Sequence, residues 1–148
     1  MGHVLMESWN GLTVGTYLTQ ANGTAEREAA LIMVHEEELA PEATLGADKA
    51  NNAWRFRQAL RDRNVVPHVA LRSDTGFGWR KDIPPPGYEA SQRHRKRIEE
   101  IFGWVKTVAG QAKTKFRGLG RVAQSFDLAA TAYNLIRLPK HLSAGDLR

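Results

Sequence analysis

The chain contains no cysteine. This absence excludes disulfides, thiolate nucleophiles and sulfur-ligated zinc, so carboxylates and histidines remain as the candidate metal ligands. No apolar run approaches the roughly 18 residues that span a bilayer, and the first residues lack the charged-then-apolar layout of an export signal. These absences predict a cytoplasmic protein without a membrane-spanning helix. With 148 residues, 42% of them hydrophobic, the chain has material for one domain with one core.

Charge is divided unevenly along the sequence. Residues 1–50 carry eight acidic and two basic side chains, whereas residues 51–148 carry eight acidic and nineteen basic ones, so the formal charges are −6 and +11. A basic region of this kind is typical of proteins that bind a phosphate backbone. A solubilising surface explains the charge alone equally well.

The first half of the chain has the periodicity of alternating strands and helices. Hydrophobic patterns predict a ββαβαβ order with elements at residues 3–7, 12–18, 25–39, 43–47, 51–63 and 65–71. Asn10-Gly11 is a hairpin-turn signal, because both residues tolerate positive φ. Asn51 or Asn52 is the predicted N-cap of the second helix. Pro67 predicts that the last strand lies at an edge or begins late.

The second half of the chain is predicted to be helical. A loop rich in glycine and proline over residues 72–88 precedes a single helix over 89–108, and a basic connector at 110–120 leads to a final helix over 121–138 that stops at Pro139. We predict one domain with four parts. They are a strand and helix portion at residues 1–71, a loop at 72–88, a helical portion at 89–138 and a tail at 139–148.

Helical geometry favours Glu99 over Glu100 as a functional carboxylate. At about 100° per residue, Arg95, Glu99 and Lys106 form a polar stripe beside the predicted buried face, whereas Glu100 points to solvent. A carboxylate at such a margin is half-desolvated and fixed in direction, as a metal ligand must be. The alternative is that Glu99 is an ordinary i, i+4 partner of Arg95.

These residues resemble a known signature. Arg95, Glu99 and Lys106 reproduce the R-x3-E-x6-K part of the Y-R-E-K signature of bacterial insertion-sequence transposases in the DDE superfamily. Leu-Gly-Ala-Asp-Lys at residues 45–49 resembles the segment that bears the second catalytic Asp of these enzymes. Three further stretches are similar to the IS-five group of that superfamily, at residues 86–88, 95–106 and 132–139.

The resemblance implies a ribonuclease-H-like α/β fold, with a mixed sheet flanked by helices. It also implies three carboxylates that hold two Mg²⁺ or Mn²⁺ ions, which would catalyse strand cleavage and transfer on DNA. By the same resemblance Asp48 and Glu99 are catalytic metal ligands, while Arg95 and Lys106 contact DNA phosphates. Taken alone, Asp48 fits polarisation of the entry to the next helix better than it fits metal binding.

The chain departs from the family pattern in three places. The family's first Asp, on a central first strand, has no counterpart here; Ala50-Asn51-Asn52 replaces Gly-Tyr-Asp; and Gln92 stands where the signature has Tyr. The resemblance therefore implies the C-terminal part of a transposase, with an incomplete sheet and no cleavage by the isolated chain. An exposed strand edge in such a sheet would favour a homodimer.

The basic connector carries Lys113, Lys115, Arg117 and Arg121. A loop that contacts the DNA backbone and a solvated linker explain these residues equally well, and the first predicts association with the nucleoid. Two alternatives to the transposase fragment stay open. One is a non-catalytic DNA-binding remnant, and the other is one half of a transposase encoded in two reading frames, completed by an N-terminal partner.

Overall fold

The computed structural model describes residues 1–70 and 85–144, with side chains described up to residue 142. The strands are β1 (Gly2–Met6), β2 (Thr13–Leu18), β3 (Thr44–Ala47) and β4 (Val66–Val69), and the helices are α1 (Ala25–Glu36), α2 (Trp54–Arg61), α3 (Tyr88–His94), α4 (Ile98–Thr107) and α5 (Leu119–Ala144). The predicted ββαβαβ order is confirmed. Two compact units form, one from Met1–Glu37 with Lys96–Arg148 and one from Glu38–Arg95.

In the first unit, β1 and β2 form the antiparallel hairpin that the Asn10-Gly11 pair predicts. Gly11 has a φ of 68°, in the left-handed region that glycine adopts without steric cost. The Glu7 carboxylate accepts hydrogen bonds from the backbone N–H groups of Trp9 and Asn10. The turn is therefore stabilised by its own residues, and it fixes the register of the two strands.

The core of the first unit forms where α4 and α5 pack with the hairpin. Its buried members come from β1, α4 and α5: Val4, Ile101, Val105, Phe126, Ala129, Ala130 and Tyr133. The rings of Trp104 and Tyr133 meet edge to face with centroids 5.8 Å apart, a favourable aromatic geometry. Asn134 on α5 accepts from the Thr13 N–H at 2.8 Å and donates to the Thr13 carbonyl at 2.7 Å. These two bonds attach β2 to the helix.

The second unit is built on a β-α-β element. β3 and β4 pair in parallel, and α2 connects them and packs on β4 through the buried side chains of Phe56 and Leu60. Pro67 lies second in β4 and faces Leu45 in the register. Because both strands run the same way, their carboxyl ends meet at one edge, where Asp48 directly follows β3.

The expected single mixed sheet is not what the structure shows between residues 1 and 70. The chain is a mixed α/β protein in which β1–β2 and β3–β4 form two separate two-stranded sheets flanked by helices. Side-chain alternation identifies a strand but does not name its neighbour, because pairing depends on contacts distant in sequence. Residue 71 of the predicted last strand and residues 72–84 of the predicted loop lie outside the described residues. Within the described part, no helix combines the length and apolarity needed to cross a bilayer.

The predicted single helix over residues 89–108 is wrong. α3 ends at His94, a 3-10 turn covers Arg95–Arg97, and α4 begins at Ile98. Arg93 and Arg97 are like charges at positions i and i+4, which destabilise a continuous helix. The Arg97 guanidinium instead donates to carbonyls of the hairpin turn, at Ser8 and Trp9.

The predicted stop of the final helix at residue 138 is also wrong. α5 continues through Pro139 to Ala144. Proline lacks the N–H that would bond to the Leu135 carbonyl. Leu135 and Pro139 are both exposed, so water can satisfy that carbonyl without a break in the helix.

Candidate metal and DNA-binding site

Asp48 lies at the sheet edge where β3 and β4 both end. Its carboxylate accepts a hydrogen bond from the Lys49 N–H and caps the 3-10 turn over Lys49–Asn51. The predicted capping of α2 by Asn51 or Asn52 is wrong, since Ala53 is the N-cap. The Asp48 side chain is 50% exposed. The contacts of Asp48 with the Lys49 N–H and with Arg95 both use Oδ1.

Arg95 is the predicted site residue that the structure brings to Asp48. Its Nη1 lies 3.8 Å from Asp48 Oδ1. Close packing of α3 on β3 makes this pair possible, because a Cβ at Gly46 would lie only 2.9 Å from Ser91 Oγ. An ion pair this exposed contributes about 0–1 kcal/mol, so its main effect is to orient the carboxylate.

His68, on β4, is a buried residue of the same unit that the sequence patterns did not single out. Its side chain is 1% exposed, and neither ring nitrogen has a hydrogen-bond partner among residues 1–70 and 85–142. The Tyr88 ring meets it edge to face at 5.9 Å. Burial lowers the pKa of His68 below its ordinary value, because it disfavours the charged imidazolium. Gln92, which replaces the signature Tyr, donates to the His68 carbonyl. The sequence offered no sign of this burial beyond the apolar neighbours of His68 in the strand.

Glu99 lies in the first turn of α4 and is exposed, so the predicted half-buried setting is wrong. The buried side of α4 is formed by Ile101 and Val105. At about 100° per residue, Glu99 lies about 160° and 120° around the helix from these two side chains. The carboxylate is therefore accessible to a ligand and is not fixed in direction by the core. Its position in the first turn is favourable with respect to the helix dipole.

Glu100 is exposed, as predicted, but it has a partner. Its carboxylate pairs with Arg137 of α5 at 3.0 Å, and the same guanidinium lies 5.1 Å from the centre of the Tyr133 ring. Burial raises the pKa of Tyr133. The angular position of Glu100 on one helix could not reveal this pair, because the pair depends on where α5 packs.

Lys106 and the basic connector both present accessible cations. Lys106 is exposed on the face of α4 that carries Glu99, about 10 Å further along the axis. Residues 108–118, which hold most of the predicted connector, form neither helix nor strand, and α5 begins at Leu119. The exposed cations are Lys113, Lys115 and Arg117 before α5 and Arg121 in its first turn. Gln111 attaches the connector to α5 by donating to the Ser125 carbonyl at 2.8 Å. The positive end of the α5 dipole adds to this potential.

The described residues do not complete a two-metal site. Within residues 1–70 and 85–144, no three Asp, Glu or His side chains come together in a way that could hold a metal ion. Asp48 belongs to the second unit and Glu99 to the first. Each of these two carboxylates has the oxygen ligands that Mg²⁺ and Mn²⁺ prefer. Two carboxylates do not make a complete ligand set for two metal ions.

Comparison with known proteins gives one family. Residues 79–139 match a family model described as "Transposase DDE domain". The matched segment contains Arg95, Glu99, Lys106 and the basic connector, and it begins downstream of Asp48. No curated protein and no solved structure matches the chain. Residues 79–139, less than half of the chain, are therefore similar to a transposase DDE domain.

Proposed function

We propose that this chain is the C-terminal part of an insertion-sequence transposase of the IS-five group. Its role is to contribute two catalytic carboxylates and a phosphate-binding surface to the cleavage and transfer of DNA strands. The observation that carries this proposal is the family match over residues 79–139, which contains the complete R-x3-E-x6-K pattern of Arg95, Glu99 and Lys106.

In this proposal Asp48 and Glu99 are two of three carboxylate ligands for Mg²⁺ or Mn²⁺. The exposure of both side chains supports it, because a ligand from solvent can reach them. Arg95 holds Asp48 until a cation arrives, since the guanidinium and the metal ion compete for the same carboxylate. Once released, Arg95 is free to contact a DNA phosphate.

The two small sheets support an incomplete ribonuclease-H-like fold. Each has two strands among residues 1–70, and an isolated two-stranded sheet is marginally stable in water. A central strand that carries the third carboxylate would supply both further pairing and the remaining ligand. We infer that such a strand comes from a segment beyond these 148 residues, either on the same polypeptide or on a separate N-terminal partner. Pairing of a second copy at a strand edge would compete with it.

DNA binding is tested by fluorescence anisotropy with a duplex over a series of salt concentrations. We expect the logarithm of the binding constant to fall linearly with the logarithm of salt. Lys113→Ala combined with Lys115→Ala should make the slope shallower by about 0.9 for each phosphate that the double variant no longer neutralises. Arg61→Ala, at an exposed basic residue of α2, is the matched control and should leave the slope unchanged. An unchanged slope in the double variant would contradict the connector's role.

Catalysis is tested by a nuclease assay with Mg²⁺ or Mn²⁺. The isolated chain should not cleave DNA, whereas addition of an upstream segment whose strand ends in Asp should give cleavage that Glu99→Gln abolishes. Salt-dependent DNA binding with no cleavage under either condition would favour the non-catalytic remnant. Cleavage by the isolated chain that disappears in Glu99→Gln would refute the incomplete site while supporting Glu99.

A further inference from the structure

The outward face of α5 carries a row of exposed leucines, which we call the leucine stripe. Leu128, Leu135 and Leu142 follow one another at seven-residue intervals and are 71%, 63% and 65% exposed. Side chains seven residues apart on an α-helix differ in direction by only about 20°, because seven residues make almost two full turns. The three side chains therefore lie within about 40° of one another, along about 21 Å of the helix.

The leucine stripe lies opposite the face that α5 buries in its own unit. The buried side chains of α5, Phe126, Ala129, Ala130 and Tyr133, lie about 100° to 200° around the helix from Leu128. α5 is consequently apolar on two opposite faces, a pattern typical of a helix that is covered on both. Single exposed leucines are ordinary, whereas an aligned row marks an interaction surface.

We propose that a second copy of this chain covers the leucine stripe, through antiparallel pairing of two α5 helices about a two-fold axis at Leu135. Apolar residues repeated every seven positions stay on one side of a helix, where they can line a seam against a second helix. Leu128 and Leu142 lie seven residues to either side of Leu135. An antiparallel copy therefore sets Leu135 against its own equivalent and Leu128 against Leu142, as a two-fold interface requires. This proposal does not depend on the transposase assignment.

Charge favours the antiparallel arrangement over the parallel one. Arg121 occupies the seven-residue position before Leu128 and is exposed, so a parallel pair would bring two guanidinium groups and two basic connectors together. The antiparallel pair separates these cations to opposite ends. It also sets the positive end of each helix dipole beside the negative end of the other. Between Arg121 and Leu142, the positions that border the stripe are all uncharged: Gln124, Ser125, Thr131, Ala132, Leu138 and Pro139.

Sedimentation equilibrium tests the interface. The wild-type chain should show a monomer–dimer equilibrium, and Leu135→Glu should raise the dissociation constant at least about 30-fold, the loss expected at the centre of an interface. Val108→Glu is the matched control, because Val108 is 66% exposed but lies beyond the end of α4, and it should leave the equilibrium unchanged. Leu135 is outside the core, so circular dichroism should show both variants folded. A monomeric wild type, or a dimer that persists in Leu135→Glu, would overturn the proposal.

Single cysteines test the orientation, since the chain has none of its own. Under mild oxidation, Leu135→Cys should cross-link two copies. Leu128→Cys and Leu142→Cys should not cross-link separately, because an antiparallel pair holds each about 21 Å from its equivalent, but a mixture of the two should. Self-cross-linking of all three variants would indicate a parallel pair and contradict the two-fold axis at Leu135. A dimer without cross-linking at residue 135 would exclude the α5 interface.

Discussion

Replacement of His68 by leucine should stabilise the protein at neutral pH. The His68 side chain is 1% exposed, and both ring nitrogens are buried without a hydrogen-bond partner in the part of the chain that the structure describes. A buried polar group left without a partner costs about 1–3 kcal/mol, and leucine removes that cost. The variant gives up the edge-to-face packing with Tyr88, which contributes about 0.5–1.5 kcal/mol. The difference predicts a net gain of about 1 kcal/mol in the free energy of unfolding.

The same substitution should weaken the loss of stability in acid. Burial lowers the pKa of His68 in the folded chain, whereas the unfolded chain titrates at the ordinary value of 6.5. Below pH 6.5 the unfolded state therefore binds a proton that the folded state does not, and stability falls by up to about 1.4 kcal/mol per pH unit for each such histidine. The pKa of His3 is lowered by burial as well. Wild type carries both groups and His68→Leu one, so the acid slope of the variant should be about half as steep.

Urea unfolding at several pH values between neutrality and mild acid measures both effects. His35→Leu is the matched control, because His35 is exposed on α1, and it should leave the acid slope as in wild type. An acid slope in His68→Leu equal to that of wild type would refute the reasoning. A loss of more than about 1 kcal/mol at neutral pH would show that the His68 ring has partners that stabilise it.

Three further substitutions test the packing inside each of the two units. Gly46→Ala sets a Cβ 2.9 Å from Ser91 Oγ and should lower the free energy of unfolding by about 1–3 kcal/mol; a double-mutant cycle in urea should show most of that loss removed by Ser91→Ala. Phe126→Ala empties a site in the first core, where Phe126 is 6% exposed, and should cost about 3–5 kcal/mol by calorimetry, so a cost below about 1 kcal/mol would contradict the assigned core. Asn134→Ala removes both hydrogen bonds to Thr13 and should cost about 1–3 kcal/mol, with faster hydrogen exchange at the Thr13 amide as the direct check.

Features with local causes could be predicted from the sequence. The hairpin turn follows from Asn10-Gly11, because the backbone freedom of two adjacent residues determines it. The position of Asp48 after a buried strand follows from the short apolar run before it. The periodicity of hydrophobic residues likewise predicts the order of strands and helices over the first 70 residues, and the structure has each of these elements.

Features that depend on packing could not be predicted. The division into two sheets requires knowledge of which strands pair. The exposure of Glu99 depends on the break at residues 95–97 and on which side of α4 faces the core. The Glu100–Arg137 pair joins two helices across 37 residues of sequence. Pro139 lies at an exposed position inside α5, and exposure is a property of the folded chain.

The proposal that Asp48 and Glu99 are ligands of one divalent ion is tested most directly by paramagnetic broadening of backbone amide signals with Mn²⁺. Carboxylate ligands of one such ion lie about 2 Å from it, so in the chain completed by the upstream segment the amides of Lys49 and Glu100 should broaden together at the same Mn²⁺ concentration. Asp48→Asn should suppress both effects. Broadening of one amide without the other, or of neither, would contradict the shared site, as would broadening at Glu100 that survives Asp48→Asn.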